Sequence, residues 1–422
     1  MNNVNIAVIG LGYVGLPLAI SFGKYFNTIG YDKNSKRVLS LKKGIDQNNE
    51  VTKNNFKQSK LLKFSNNSND IKYCNYYIVT VPTPIYKNKK PNLNALINSS
   101  IVISKFLKKK DIVIYESTVY PGATEEICLP ILLKYNKLKY NVDFFIGYSP
   151  ERINPGDKIH TLEKIKKITS ASSYSALNKI NYIYKKIIKA GIFPVENIKI
   201  AEAAKVIENA QRDINVAFMN ELSLIFKKLN INTEKVLEAA STKWNFLNFK
   251  PGLVGGHCIG VDPYYLSYKS ELSGYIPKII NSGRAINDNM PKYIVKEITH
   301  AIKIQFSSLK MVNIVILGLP FKENCVDTRN SKVFDIYELL SKKNYNVHIF
   351  DPLLNTDNYY GDKKIRIQKK FKKNYYDIAI VAVAHDSFKK MGIKYIKNAL
   401  KKKSFIYDIK SIFQSNLVDK YL

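Results

Sequence analysis

Two stretches of this chain share one local grammar, and that grammar restricts the fold more than any other feature. Asn5-Ile-Ala-Val-Ile-Gly10 is an apolar run ended by glycine, followed by a helical stretch and then by Thr28-Ile-Gly-Tyr-Asp32. Asn313-Ile-Val-Ile-Leu-Gly318 repeats the pattern, with a helical stretch around Phe334 to Leu340 and then Asn346-Val-His-Ile-Phe-Asp351. A run this apolar needs cover on both faces, which a parallel strand flanked by helices receives. Each stretch is therefore a strand-helix-strand unit whose second strand ends on an acid. Further short apolar runs follow, at Tyr76 to Val81, Ile112 to Tyr115 and Phe144 to Gly147, and later at Ile378 to Val383 and Phe405 to Tyr407. Strands alternating with helices predict an α/β chain with two doubly wound, Rossmann-like sheets.

The middle of the chain reads differently. Ala204, Ile207, Ala210, Ile214, Phe218, Leu222 and Ile225 fall at helical spacing, with no proline or glycine between Ile200 and Leu229. A helix of about 30 residues spans about 45 Å, enough to join two sheets. Helical signal continues through Thr233 to Ala240 and Ile276 to Ile304. The 422 residues are too many for one ordinary core. We expect an N-terminal dinucleotide domain over 1–198, a helical connector over 199–305 and a C-terminal Rossmann-like domain over 306–422.

The net charge of +32 invites a nucleic-acid reading. The lysines, however, are spread through the whole sequence, and the clusters Lys108 to Lys110 and Lys401 to Lys403 are short, as on solvated faces. No nucleic-acid partner is expected, although a positive field attracts anionic dinucleotides and nucleotide sugars. Cys74, Cys128, Cys258 and Cys325 show no paired spacing, which argues against disulfides and metal knuckles. The N-terminus lacks a basic stretch followed by a long apolar one, and no run reaches the roughly 18 apolar residues of a membrane span. The expected location is the cytoplasm, without membrane insertion.

Gly10-Leu-Gly12-Tyr-Val-Gly15 follows a strand and opens a helix. That is the context in which the first glycine permits a tight turn, the second lets a pyrophosphate approach, and the third lets helix and strand pack. Asp32 then stands where a carboxylate meets the adenosine ribose, favouring NAD. Lys33 and Arg37 are near enough to leave NADP open.

Gly255-Gly256-His257-Cys258-Ile259-Gly260-Val261-Asp262-Pro263 surrounds a thiol with glycines, so the backbone can pass close to a ligand. A lone cysteine is usually a small buried hydrophobe. Flanking glycines and the nearby Asp262 favour a nucleophile. Lys205 and Asn209 share a helix face, suited to an oxyanion and a water, or to solvent alone. Glu116-Ser-Thr118 and Ser149-Pro-Glu151 each follow a strand, at the end where open parallel sheets bind ligands. Glu151 is a general base for water or a turn cap.

The stretches GLGYVGLPLA, ESTVYPGATEE, SPERINPGD, AEAAKVIENAQRDIN, GGHCIGVDPYYL and LGLPFKENCVDTRNS, in this order, resemble the UDP-glucose/UDP-N-acetylhexosamine 6-dehydrogenase family over nearly the whole chain. The resemblance implies a homodimer made through the helical connector, a C-terminal domain for the UDP part, and two successive NAD-dependent oxidations at the sugar C6. It makes Cys258 the nucleophile, passing through a thiohemiacetal and a thioester. Lys205 and Asp262 handle the alkoxide and its proton, Asn209 and Thr118 the water or oxyanion, and Glu151 assists hydrolysis. Tyr13, Val14, Arg37, Pro82, Thr83 and Thr118 join the glycines and Asp32 as cofactor contacts. Arg152, Arg212, Gly255, Arg284, Lys322 and Arg329 join Glu151, Lys205 and Asn209 as substrate contacts. No metal is implied.

One departure bears on substrate. The UDP-glucose branch typically has a second acid where this chain has Pro155, and ESTVYPGATEE, TKWNF and FKENC look more like the Vi-antigen type. The resemblance therefore places UDP-N-acetylglucosamine first, with the galacto and manno epimers and UDP-glucose as alternatives, and capsule or O-antigen as destination. A hydroxyacid dehydrogenase of the 3-hydroxyisobutyrate type would share the dinucleotide domain and the Lys-x-x-x-Asn pair, but needs neither the cysteine loop nor the C-terminal domain. An NAD-sensing or DNA-binding protein leaves the cysteine loop unexplained.

Overall fold

The computed structural model describes residues 4–48, 50–153, 159–354, 357–360 and 363–422. Two compact units make up the chain: Met1–Glu208 with Tyr264–Tyr275, and Asn209–Pro263 with Ile276–Leu422.

The first unit is built on strands β1 (Asn5–Ile9), β2 (Asn27–Tyr31), β3 (Leu62–Ser65), β4 (Tyr76–Val79), β5 (Ile112–Tyr115), β6 (Phe145–Tyr148), β7 (Lys167–Ala171) and β8 (Ile192–Pro194). They form one sheet in the order β3-β2-β1-β4-β5-β6-β7-β8. All neighbours are parallel except β6 and β7. Ile6 to Ile9 are buried because helices cover both faces of β1. Ile6, Val8, Leu16, Phe22, Ile112 and Ile180 pack into one core. The chain reverses its strand order between β1 and β4, the switch point at which such sheets hold ligands.

The second unit repeats this plan with β9 (Asn313–Leu317), β10 (Asn346–Phe350), β11 (Asp357–Tyr360), β12 (Lys363–Gln368), β13 (Tyr376–Val381), β14 (Leu400–Asp408) and β15 (Lys420–Tyr421), in the order β11-β12-β10-β9-β13-β14-β15. Among the described residues only the β11–β12 pair is antiparallel. Ile314, Ile316, Ile378 and Ile380 face the helix Lys278–Gln305 through Ile294 and Ile298, and Val315, Leu317 and Val381 face the other way onto Phe388. The sheet thus has an apolar layer on each side. The doubly wound α/β class expected from the two glycine-ended runs is what the chain adopts in both units.

The proline- and glycine-free stretch forms the helix Ile198–Lys228, 31 residues long, which passes from the first unit into the second after Glu208. Thr233–Ser241 and Lys278–Gln305 are also helices. Among the described residues, no helix is long and apolar enough to cross a membrane.

Candidate functional site

The cofactor end of the first unit follows from three glycines with different neighbours. Gly10 has φ +94°, a left-handed turn suited to glycine, and its N–H donates to Tyr31 O at 2.8 Å. A Cβ on Gly15 would lie 1.8 Å from the Gly10 carbonyl oxygen and 2.4 Å from Thr80 Oγ1, so only glycine lets the helix Gly15–Phe22 start this close to β1. A Cβ on Gly12 would meet nothing within 4 Å, leaving room for a phosphate where the backbone is open. The Leu11 N–H donates to Asp32 Oδ2 and the Asn34 N–H to Oδ1, both at 2.9 Å. Each carboxylate oxygen keeps a lone pair for a ribose hydroxyl. These features fit an NAD molecule held by Gly10 to Gly15 and Asp32, with Tyr13 and Val14 half-buried in the same loop.

Arg37 lies elsewhere than an open cofactor contact. Its guanidinium is buried, donates from Nε to Leu11 O at 3.0 Å and pairs with Asp46 at 2.8 Å, so it braces the loop from behind. Thr83 donates its hydroxyl to the Thr118 carbonyl at 2.7 Å, which ties the Pro82-Thr83 turn to the loop after β5. Tyr265, not singled out in the sequence, donates its hydroxyl to the Thr83 and Pro84 carbonyls at 2.8 and 3.2 Å.

The loops after β5 and β6 are pinned by a second residue the sequence did not disclose. Lys167 is buried and places its ammonium 2.7 Å from Glu116 and 2.8 Å from Glu151, while Tyr184 donates to the other Glu116 oxygen. Burial pushes the Glu116 carboxyl above its usual range against the pull of Lys167. Glu151 Oε1 accepts from the Arg152 and Ile153 N–H groups at 2.7 and 2.9 Å, so Glu151 caps this turn. Arg152 pairs with Glu208 at 2.6 Å. Pro155 lies outside the described residues.

Lys205 is buried on the long helix. One turn earlier, Glu202 accepts N–H groups of Gly122 and Thr124 from the segment after Thr118, and burial pushes its carboxyl up to about 7.

In the second unit the glycine-flanked cysteine forms a tight turn. The Val261 and Asp262 N–H groups donate to Cys258 O at 3.0 and 2.9 Å, and Asp262 starts the helix Asp262–Leu272. Asn209 Nδ2 donates to Asp262 Oδ2 at 2.6 Å, with both side chains buried. Cys258 is half-buried. A Cβ on Gly255 would stand 2.8 Å from the Asn330 carbonyl, and one on Gly256 2.8 Å from the Phe321 ring, so this pair lets the turn sit against the segment Phe321 to Ser331. That segment carries Arg329, whose guanidinium grips Asp327 at 2.6 to 3.1 Å and lies 3.4 Å from His257 Nε2. Against the opposing effect of burial, Arg329 holds the Asp327 carboxyl below its usual range. Lys322, on the same segment, is half-buried, as is Arg212 on the long helix.

Arg284 sits deeper than a ligand contact would require. It is buried, donates to Asp213 at 2.6 Å and Asp288 at 2.5 Å, and shares Asp213 with Asn287. Asn287 accepts from Asn220, which also donates to the Gly252 carbonyl and accepts its N–H. Arg284 therefore belongs to the network that anchors the chain entering the cysteine turn.

Of the expected residues, the second unit brings Asn209, Gly255, Cys258, Asp262 and Arg329 around one turn. The first gathers Gly10, Gly12, Gly15, Asp32, Thr83 and Thr118. A half-buried thiol on such a turn can attack a carbonyl carbon, and the guanidinium of Arg329, 3.4 Å from the neighbouring His257, can hold an anionic ligand.

Comparison with known proteins bears on both units. Models of the UDP-glucose/GDP-mannose dehydrogenase family match in three parts: the NAD binding domain over residues 4–188, the central domain over 199–289 and the UDP binding domain over 315–415. A UDP-N-acetyl-D-glucosamine 6-dehydrogenase of Salmonella typhi is 49% identical over 99% of both chains. The protein of the same name from Pseudomonas aeruginosa is 48% identical, again over 99% of both. The solved UDP-D-ManNAc dehydrogenase of Pyrococcus horikoshii superposes with a TM-score of 0.87 at 28% identity, covering 98% of this chain and 96% of that one.

Proposed function

Because the chain belongs to the UDP-glucose/GDP-mannose dehydrogenase family, we propose that this NAD-dependent nucleotide-sugar dehydrogenase oxidises C6 of UDP-N-acetylglucosamine to the carboxylate through a covalent adduct on Cys258. The observation that carries the proposal is the half-buried thiol on a turn whose Asp262 is oriented by Asn209 at 2.6 Å.

The overall change is R–CH2OH + 2 NAD+ + H2O to R–COO− + 2 NADH + 3 H+. NAD, when bound, accepts the two hydrides in turn. Lys205 and Asp262 take the alkoxide and its proton in the first oxidation. The Cys258 thiolate then adds to the aldehyde carbon, and the resulting thiohemiacetal retains a C–H bond from which the second hydride leaves. Hydrolysis of the thioester returns the thiol, with Asn209 and Thr118 holding the water or oxyanion and Glu151 assisting from the turn it caps. Lys322 and Arg329 hold the phosphates of the nucleotide sugar, bidentate geometry suiting Arg329. The substrate assignment is supported by the two UDP-N-acetyl-D-glucosamine 6-dehydrogenases that are 49% and 48% identical over 99% of the chain. An acidic amino sugar suits capsule or O-antigen synthesis in the cytoplasm, where nucleotide sugars are made.

The protein works as a homodimer in this reading. Phe218, Ile225 and Leu229 expose apolar surface along the long helix, and Trp244 is 91% exposed. Such a contiguous apolar face on a helix suits a second copy.

NADH formation with UDP-glucose, UDP-GlcNAc, UDP-GalNAc and UDP-ManNAc tests the whole reading. We expect UDP-GlcNAc to have the highest kcat/KM and to yield two NADH per sugar. A Cys258→Ala variant that still delivered two NADH per sugar would sink the covalent step.

A further inference from the structure

The two sheets carry the same strand-glycine-acid plan, yet their acids meet different fates. In the first unit the Leu11 N–H donates to Asp32 at 2.9 Å, and in the second the Leu319 N–H donates to Asp351 at the same 2.9 Å. Gly10 and Gly318 have φ +94° and +90°. From there the two diverge. Pro320 stands where Gly12 stands and has no N–H for a phosphate, and Glu323 replaces Gly15. Asp351 is 2% exposed and covered by the His385 ring, itself fully buried, with Nε2 at 3.2 Å from Asp351 Oδ2.

His385 has a second partner. The Asn324 N–H donates to its Nδ1 at 2.9 Å, so the ring proton resides on Nε2 and points at Asp351. Asn324, at φ +55°, is also clasped by Asp386, donating to its carboxylate at 2.8 Å and accepting its N–H at 3.1 Å. Asn324 lies two residues after Lys322 and five before Arg329.

We propose that His385 is a positioning residue for nucleotide-sugar binding: it occupies the acid that would otherwise hold a ribose and uses it to latch the segment carrying Lys322 and Arg329. The second sheet is thereby closed to a dinucleotide and given over to the UDP part. The proposal rests on the assignment of that segment to the nucleotide sugar.

Calorimetry with UDP and with NAD tests it on the intact protein. His385→Ala should weaken UDP binding by about tenfold, the loss of one to two hydrogen bonds. KM for the UDP-sugar should rise with it, while kcat and NAD affinity stay within about twofold. His385→Gln, which keeps a donor and an acceptor, should recover most of the loss. Wild-type protein should bind one NAD per chain. A second NAD per chain, or unchanged UDP binding in a folded His385→Ala, would overturn the proposal. If His385→Ala does not fold, Asn324→Gly, which keeps the N–H and the φ but removes the Asp386 clasp, must weaken UDP binding severalfold. A wild-type protein that binds UDP but oxidises none of the four sugars defeats the functional reading and leaves the latch standing.

Discussion

Replacing Gly12 and Gly15 by alanine, one at a time, separates ligand space from packing space within a single loop. A Cβ on Gly15 begins 1.8 Å from the Gly10 carbonyl oxygen, and Cβ contacts shorter than 3.0 Å essentially do not occur, so the start of the helix must retreat by about 1.2 Å. Overpacking of this kind costs about 1–3 kcal/mol. For a unit of this size that lowers Tm by roughly 2–12 °C. The same displacement carries the helix N-terminus away from the pyrophosphate, so NAD affinity falls as well. Gly12 behaves differently. Its φ is not left-handed and no atom lies within 4 Å, so alanine is tolerated and stiffens the unfolded chain, for about 0.4–1 kcal/mol of added stability. The methyl group enters the path of the phosphate and blocks one charge-assisted hydrogen bond, for about 1.5–3 kcal/mol or roughly 10- to 150-fold in NAD affinity. Thermal unfolding and calorimetric titration of both variants give four numbers. Gly12→Ala that binds NAD like the wild type, or that unfolds as early as Gly15→Ala, refutes the assignment of the open space to the cofactor.

Arg284→Met should destabilise by about 3–5 kcal/mol in denaturant unfolding, because it leaves Asp213, fully buried, without its cation; a loss below about 1 kcal/mol would argue for a ligand-facing role. Glu202 should make stability fall as pH rises from about 4.5 to about 7, since the native state keeps a proton there that the unfolded chain has lost, with a slope of up to about 1.4 kcal/mol per pH unit. Glu202→Gln should flatten that slope, and an unchanged slope would place the titration elsewhere. Phe218→Glu should shift sedimentation from dimer to monomer; an unaltered dimer would move the interface off this helix.

The glycine-ended runs announced both sheets because their information is local: a buried parallel strand, a turn and an acid fall within about 30 residues. The long helix was legible for the same reason, its continuity needing only the absence of proline and glycine. Lys167 was not legible. It follows Lys164 and Lys166 and looks like part of a solvated run, and only β5 and β6 folding beside it supply Glu116 and Glu151. Arg284 posed the converse difficulty, since its residue type suggested an anion while its partner, 71 residues away, turned out to be Asp213. Asp32 and Asp351 end matching strands in the sequence, and the His385 ring that covers Asp351 is brought up from beyond β13, too far along the chain to be read beside it. Short strands such as β3 and β8 carry too few apolar residues to stand out from the loops around them.

The burial of three of the four cysteines makes the molecule its own titration standard. Burial pushes the Cys74 and Cys128 thiols up to about 12, so at pH 8 only about one part in ten thousand of either is thiolate. Cys325 is buried as well, while Cys258 is half-buried. Alkylating reagents attack thiolate and need access. A limiting dose of iodoacetamide on the folded protein should therefore mark one position per chain, so that the label taken up counts competent sites in any preparation before a sugar is added.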